Sequence, residues 1–96
     1  MDKRYKKLPP AEQVDARRRG IEEVLAHPEW TLPEAIRHLK SAFRMTSSEL
    51  AELAGLSLRT VQEIEQERSP GTVQTMNRIF GVVGLKLGVV QALAED

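Results

Sequence analysis

The stretch TSSELAELAGLSLRTVQEIE, Thr46 to Glu65, has the spacing of two short helices joined by a tight turn. Thr46 and Glu49 form a capping box, in which the hydroxyl and the carboxylate each satisfy a backbone amide at an open helix end. Gly55 stands where the chain must adopt a positive φ to leave one helix and turn toward the next. Ser57 is suited to cap the second helix. The stretch therefore predicts two helices that cross at a sharp turn.

Apolar residues in the stretch are spaced to share one core. They recur at helical intervals in both helices: Leu50, Leu53, Ala54, Val61 and Ile64. Ala51 presents only a methyl group, which allows the second helix to cross closely. Helical patterns flank the stretch on both sides, AIRHLKSAFRM before it and TVQTMNRIFGVVG after it.

This arrangement resembles the Cro/repressor type of helix-turn-helix, the XRE family, from about Trp30 to about Val90. The residues that carry the resemblance are Ala51, Gly55, Val61 and Ile64. It implies an all-α chain with a lambda-repressor-like DNA-binding domain of five helices over residues 30–96. Residues 1–29 would then add a basic arm and an N-terminal amphipathic helix.

The resemblance assigns base reading to the first two turns of the helix expected over about Leu58 to Gln66. The corresponding positions are Ser57, Leu58, Arg59, Gln62 and Glu63. The Arg59 guanidinium can donate two hydrogen bonds to guanine O6 and N7, Leu58 can contact a thymine methyl, and Gln62 can bind adenine or a phosphate. Two interpretations of Glu63 stay open. Its carboxylate either accepts from cytosine N4 or pairs with Arg59 four residues earlier in the helix.

Phosphate contacts are expected at helix ends. Arg44 precedes the first helix of the pair, and Thr46 with Ser47 places hydroxyls and free amides at its N-terminus, where the helix dipole favours an anion. Thr60 adds a hydroxyl on the second helix. Capping alone also accounts for Thr46.

Another helix is expected ahead of the pair, from about Leu32 to Phe43, with Ile36, Leu39 and Phe43 facing inward. The resemblance implies that its Lys40 pairs with Glu65 near the end of the recognition helix. Such an ion pair orients helices at little net stability unless it is well desolvated. We interpret Trp30, just before this helix, as a core or staple residue rather than a ligand platform.

The two ends of the chain carry further segments. The arm MDKRYKK is either a solvated tail or a contact to phosphates or a minor groove. Ala11 to Ala26 predicts an amphipathic helix that packs on the domain or on a second copy. Its apolar side comprises Val14, Ile21, Val24 and Leu25. A closing helix is expected over Thr72 to Val83, with an inner face of Val73, Met76, Ile79, Phe80 and Val83.

In the ending GLKLGVV, Leu85, Leu87 and Val89 alternate with other residues, which favours a short strand. Pairing with the same strand of a second copy would satisfy its backbone and make a dimer, as in the HipB-like branch of the family. The alternative is a frayed extension of the closing helix.

Composition limits the function classes. Fourteen Lys and Arg cancel fourteen Asp and Glu, although residues 1–44 hold ten basic against seven acidic side chains, and residues 45–96 four against seven. The absence of cysteine and of signal or membrane-spanning patterns predicts a cytoplasmic protein without a membrane partner. His27 and His38, with no cysteine and no Gly-rich phosphate loop, predict no enzyme, metal site or cofactor.

The sequence thus predicts a sequence-specific, homodimeric transcriptional repressor that binds an inverted-repeat operator in double-stranded DNA. The resemblance adds a narrower expectation, an autoregulating antitoxin with a cognate toxin protein as partner. The alternative is a protein-binding adaptor that keeps the fold without DNA affinity, as the neutral net charge and Glu63 would favour.

Overall fold

The computed structural model describes residues 8–92, which contain five α-helices and no β-strand. The helices are α1 Pro10–Ala26, α2 Leu32–Ala42, α3 Ser47–Ala54, α4 Leu58–Glu65 and α5 Val73–Gly81. The all-α prediction is confirmed. The expected count of five helices after residue 30 is not met in the described range, because only α2 to α5 lie there. The basic arm, residues 1–7, lies outside the described residues.

Local hydrogen bonds set where the helices begin and end. α2 and α3 each begin with a reciprocal capping box, at Thr31 and Thr46, while α4 and α5 begin with a single hydroxyl cap at Ser57 and Thr72. α3 ends at Gly55, whose φ of 72° and ψ of 33° lie in the left-handed region that glycine adopts without a side-chain clash. The chain therefore turns from α3 into α4 within three residues.

The core lies between α2, α3, α4 and α5. Its largest fully buried side chains are Ile36, Val61 and Ile64. Two expected core residues lie outside it. Val73 is 66% exposed because it is the first residue of α5, at the open end of the helix. Leu53 is 65% exposed because its position is rotated by about 100° from Ala54, which faces inward.

α1 packs against α2 through a glycine. Gly20 is buried, and a Cβ placed there would clash with the Cβ of Ala42, so α1 can approach this closely only because residue 20 lacks a side chain. Ile21 and Val24 pack against the edge of the core. The sequence predicts that this helix packs on the domain or on a second copy, and the structure shows it packed on the domain.

Part of the predicted apolar side of α1 stays uncovered. Val14 and Leu25 are 60% and 64% exposed. Each of these residues follows an inward-facing residue. The helix turns by about 100° per residue, so their side chains lie on the flank of α1 and not at the contact with α2.

Trp30 lies half-buried in the connection between α1 and α2. Its ring stacks on His27 at 4.5 Å between centroids and is tilted against His38 at 4.9 Å. His38 Nε2 lies 2.5 Å from Glu23 Oε1. The pKa of Glu29 is lowered, chiefly because His27 donates a hydrogen bond to its carboxylate. Through its ring contacts with His27 and His38, Trp30 connects the end of α1 to α2.

The segment after α5 forms neither of the expected structures. α5 ends at Gly81 and a turn follows, in which the Leu85 amide donates to the Phe80 carbonyl at 2.9 Å, so the helix does not extend. The Leu87 amide donates to Asn77 Oδ1 at 2.7 Å. The predicted strand is absent from residues 85–92 because a strand requires a neighbouring strand, and the described chain provides none.

Candidate nucleic-acid interface

α4 buries one side and presents the other to solvent. Val61 and Ile64 are 0% and 1% exposed, whereas Leu58 is 40% exposed and Gln62 is also exposed. The separation follows from helical spacing: Val61 and Ile64, three apart, share the inner face, and Leu58 and Gln62, four apart, share the outer one. The structure thus places the predicted base-reading positions on one outer surface that begins at Ser57.

The N-terminus of α4 is closed by two hydroxyl groups. Ser57 Oγ accepts a hydrogen bond from the Thr60 amide at 3.0 Å and lies 2.8 Å from Thr60 Oγ1. Both hydroxyls are exposed. A phosphate contact from Thr60 would therefore form beside the cap or exchange with its bond to Ser57.

Arg59 and Glu63 lie one turn apart on the outer face of α4. Arg59 Nε donates to Glu63 Oε2 at 3.2 Å, and the two side chains are 87% and 38% exposed. The structure therefore contains the intrahelical pair of Arg59 and Glu63, which is one of the two interpretations of Glu63.

The residues predicted to contact phosphate at the start of α3 differ in whether their hydroxyl groups are already bound within the domain. The Thr46 hydroxyl accepts from the Glu49 amide at 3.1 Å, as its capping role requires. The Ser47 hydroxyl is turned inward, where it accepts from Lys40 Nζ at 2.5 Å and donates to Glu65 Oε1 at 2.7 Å. Because the Ser47 hydroxyl is bound inside the domain, only the backbone amide of Ser47 would be available to an anion. Arg44, just before α3, has a φ of 55°.

Lys40 and Glu65 form a buried ion pair between α2 and α4. The Nζ–Oε2 distance is 2.8 Å, and the side chains are only 10% and 11% exposed. Glu65 Oε2 receives no aligned hydrogen bond in the described part of the chain, so the Nζ contact acts on it as a charge interaction. With Ser47 between them, the pair connects three helices behind the outer face of α4.

Two further arginines bind backbone carbonyls at the ends of the α4 region. Arg37 Nη1 donates to the Glu65 carbonyl at 2.9 Å, and Arg78 Nη1 donates to the Gly55 carbonyl at 3.2 Å. Neither contact was predicted from the sequence. Arg37 carried a weak signal, because it lies three residues before Lys40 on the same face of α2. Arg78 carried none, because its acceptor lies 23 residues away.

The interface has no features of a metal centre or a membrane segment. No group of three or more His, Asp or Glu residues that could hold a metal ion occurs within residues 8–92. Over the same range, no helix is both long and apolar enough to cross a bilayer.

Comparisons with protein-family models, curated proteins and solved structures gave no match.

Proposed function

We propose that this chain is a sequence-specific regulator of transcription that binds double-stranded DNA through α4, in the manner of XRE-type helix-turn-helix proteins. The observation that supports this function best is the placement of α4. Its inner face is anchored by Val61, Ile64 and Glu65, and its outer face is exposed over two turns. A helix about 10 to 12 Å across fits the major groove of B-DNA, which is about 12 Å wide.

In this proposal each outer residue has a separate role. Arg59 donates to guanine O6 and N7, Leu58 contacts a thymine methyl, and Gln62 binds adenine or a phosphate. Phosphates bind at the helix ends, through Arg44, the amides that follow Thr46, and Thr60. Backbone contacts of this kind fix the register of the helix in the groove.

A second copy of the chain completes the proposed regulator. Leu85 and Leu87 pack against the domain's own core, whereas Val89 is fully exposed and Val90 is 73% exposed. Pairing of this segment across a two-fold axis would form the missing strand ladder and cover the valines. The two recognition helices would then lie about 34 Å apart and select an inverted repeat. Occupancy of such an operator blocks a promoter, which makes repression the expected outcome.

An autoregulating antitoxin that binds a cognate toxin is a narrower form of this proposal, and the family resemblance alone supports it. The rival function is a protein-binding adaptor without DNA affinity. Its support is the zero net charge together with a carboxylate, Glu63, on the outer face of α4.

Selection of DNA from a random pool by the purified protein tests the main proposal. An inverted repeat should be enriched, and its affinity should fall steeply as salt rises, because bound phosphates release counterions. An adaptor should enrich no sequence and show no steep salt dependence.

We expect Arg59→Ala to weaken binding to the selected operator by roughly 1 to 3 kcal/mol, because the bidentate contact to guanine is lost. Fluorescence anisotropy with a labelled duplex measures the change, and thermal unfolding verifies the fold. Arg18→Ala is the matched control, since Arg18 lies on α1 and pairs with Asp15. Equal operator affinity in the wild type and Arg59→Ala would remove Arg59 from base reading.

We expect Val89→Asp to shift the protein from dimer toward monomer in sedimentation equilibrium, because a buried carboxylate would oppose pairing of the C-terminal segments. Val89 is a better site than Leu87, whose side chain also packs on the core. Val73→Asp, at a valine that is 66% exposed on α5, is the control. An unchanged dimer in Val89→Asp would exclude this segment from the interface.

A further inference from the structure

The contact between Arg59 and Glu63 uses one particular donor of the guanidinium. Nε donates to Glu63 Oε2 at 3.2 Å, and within residues 8–92 Arg59 has no other hydrogen bond or ion pair. A guanidinium carries five N–H donors in a rigid fork, one on Nε and four on the two Nη atoms. With Nε bound, both Nη groups stay available, on a side chain that is 87% exposed.

We propose that Glu63 is a positioning residue that sets the specificity of Arg59 for guanine, and this inference rests on the proposed function. When Glu63 holds Nε, the two Nη groups form the forked donor that matches guanine O6 and N7, the two acceptors that guanine presents in the major groove. Adenine presents an acceptor and a donor there, so the same fork meets a mismatch.

The charge of Glu63 acts in the same direction. An arginine without a carboxylate beside it is attracted to every phosphate along a duplex, and this attraction carries no sequence information. Glu63 offsets the charge of Arg59 and leaves its directional donors in place. The pair therefore lowers sequence-independent affinity and raises discrimination between bases.

Pre-organisation gives the expected size of the effect. A long side chain that is 87% exposed loses rotamer freedom when it binds, and a partner that already restricts it removes part of that cost. Loss of the partner should reduce the preference for guanine by about three- to tenfold.

A double-mutant cycle tests the inference with the operator selected by the wild type and a duplex in which the guanine contacted by Arg59 is changed to adenine. The measured quantity is the ratio of the two affinities, in the wild type, Glu63→Ala, Arg59→Ala and the double variant. An unrelated duplex reports sequence-independent binding. We expect Glu63→Ala to lower the ratio and to raise affinity for the unrelated duplex. In the Arg59→Ala background the same change should leave the ratio unaltered.

The outcomes separate the alternatives. An unchanged ratio in Glu63→Ala overturns the inference, as does an equal loss in the Arg59→Ala background, which would show that Glu63 contacts a base itself. Glu52→Gln makes the same charge change at an exposed position on α3 and should raise affinity for all duplexes without altering the ratio. A wild type that prefers no sequence at all overturns the proposed function, and the inference with it.

Discussion

Lys40→Met should lower the free energy of unfolding by about 3 to 5 kcal/mol. The change removes the cation from the Glu65 carboxylate, which is only 11% exposed and lies 2.8 Å from Lys40 Nζ. It also removes the donor to the Ser47 hydroxyl. A buried charge without a partner keeps its full desolvation penalty. Urea denaturation followed by circular dichroism measures the loss.

Apolar replacement of the whole cluster is the matched control. The triple variant Lys40→Met, Ser47→Ala, Glu65→Leu removes every polar group of the cluster and should recover most of the stability, because a packed apolar cluster can replace a buried ion pair at little cost. The Arg37 bond to the Glu65 carbonyl does not depend on the side chain at position 65. A loss below about 1 kcal/mol in Lys40→Met would show that the pair is solvated, as an exposed salt bridge is.

The second large effect should come from Gly20→Ala. Helix propensity alone predicts a gain of about 1 kcal/mol for this change. We expect a loss of about 1 to 3 kcal/mol, because the added Cβ would clash with the Ala42 Cβ and would push α1 away from α2. Urea denaturation gives the sign, and hydrogen exchange of the α1 amides shows whether this helix loses its protection.

Two variants check that interpretation. Gly81→Ala, where an added Cβ meets nothing within 4 Å, should leave stability unchanged or raise it. Ala42→Gly should restore space in the Gly20→Ala background and recover part of the loss. A gain of stability in Gly20→Ala by itself would mean that α1 does not sit against Ala42.

Features that depend on neighbouring residues could be predicted from the sequence. The caps at Thr46 and Ser57 and the turn at Gly55 are local, because each donor and acceptor lies within three or four residues. These features fix the beginnings and the crossing of α3 and α4. The outer face of α4 follows from helical spacing once its first residue is known.

Features that depend on distant residues could not be predicted. Gly20 has no local signature, because its role is set by the approach of Ala42 from another helix. The inward direction of the Ser47 hydroxyl depends on Lys40 and Glu65, on two further helices. The alternation after α5 favoured a strand, but alternation gives only the side-chain faces and not the neighbouring strand.

The two faces of α4 are served by different residues. Val61, Ile64 and Glu65 hold the helix in the domain, whereas Arg59 and Gln62 are exposed and, in the described chain, form no side-chain hydrogen bond or ion pair with another helix. Substitutions on the outside can thus accumulate while folding is preserved. Under the proposed function, gene copies that descend from one such ancestor could acquire separate targets by changing a few codons, and each would inherit the same architecture.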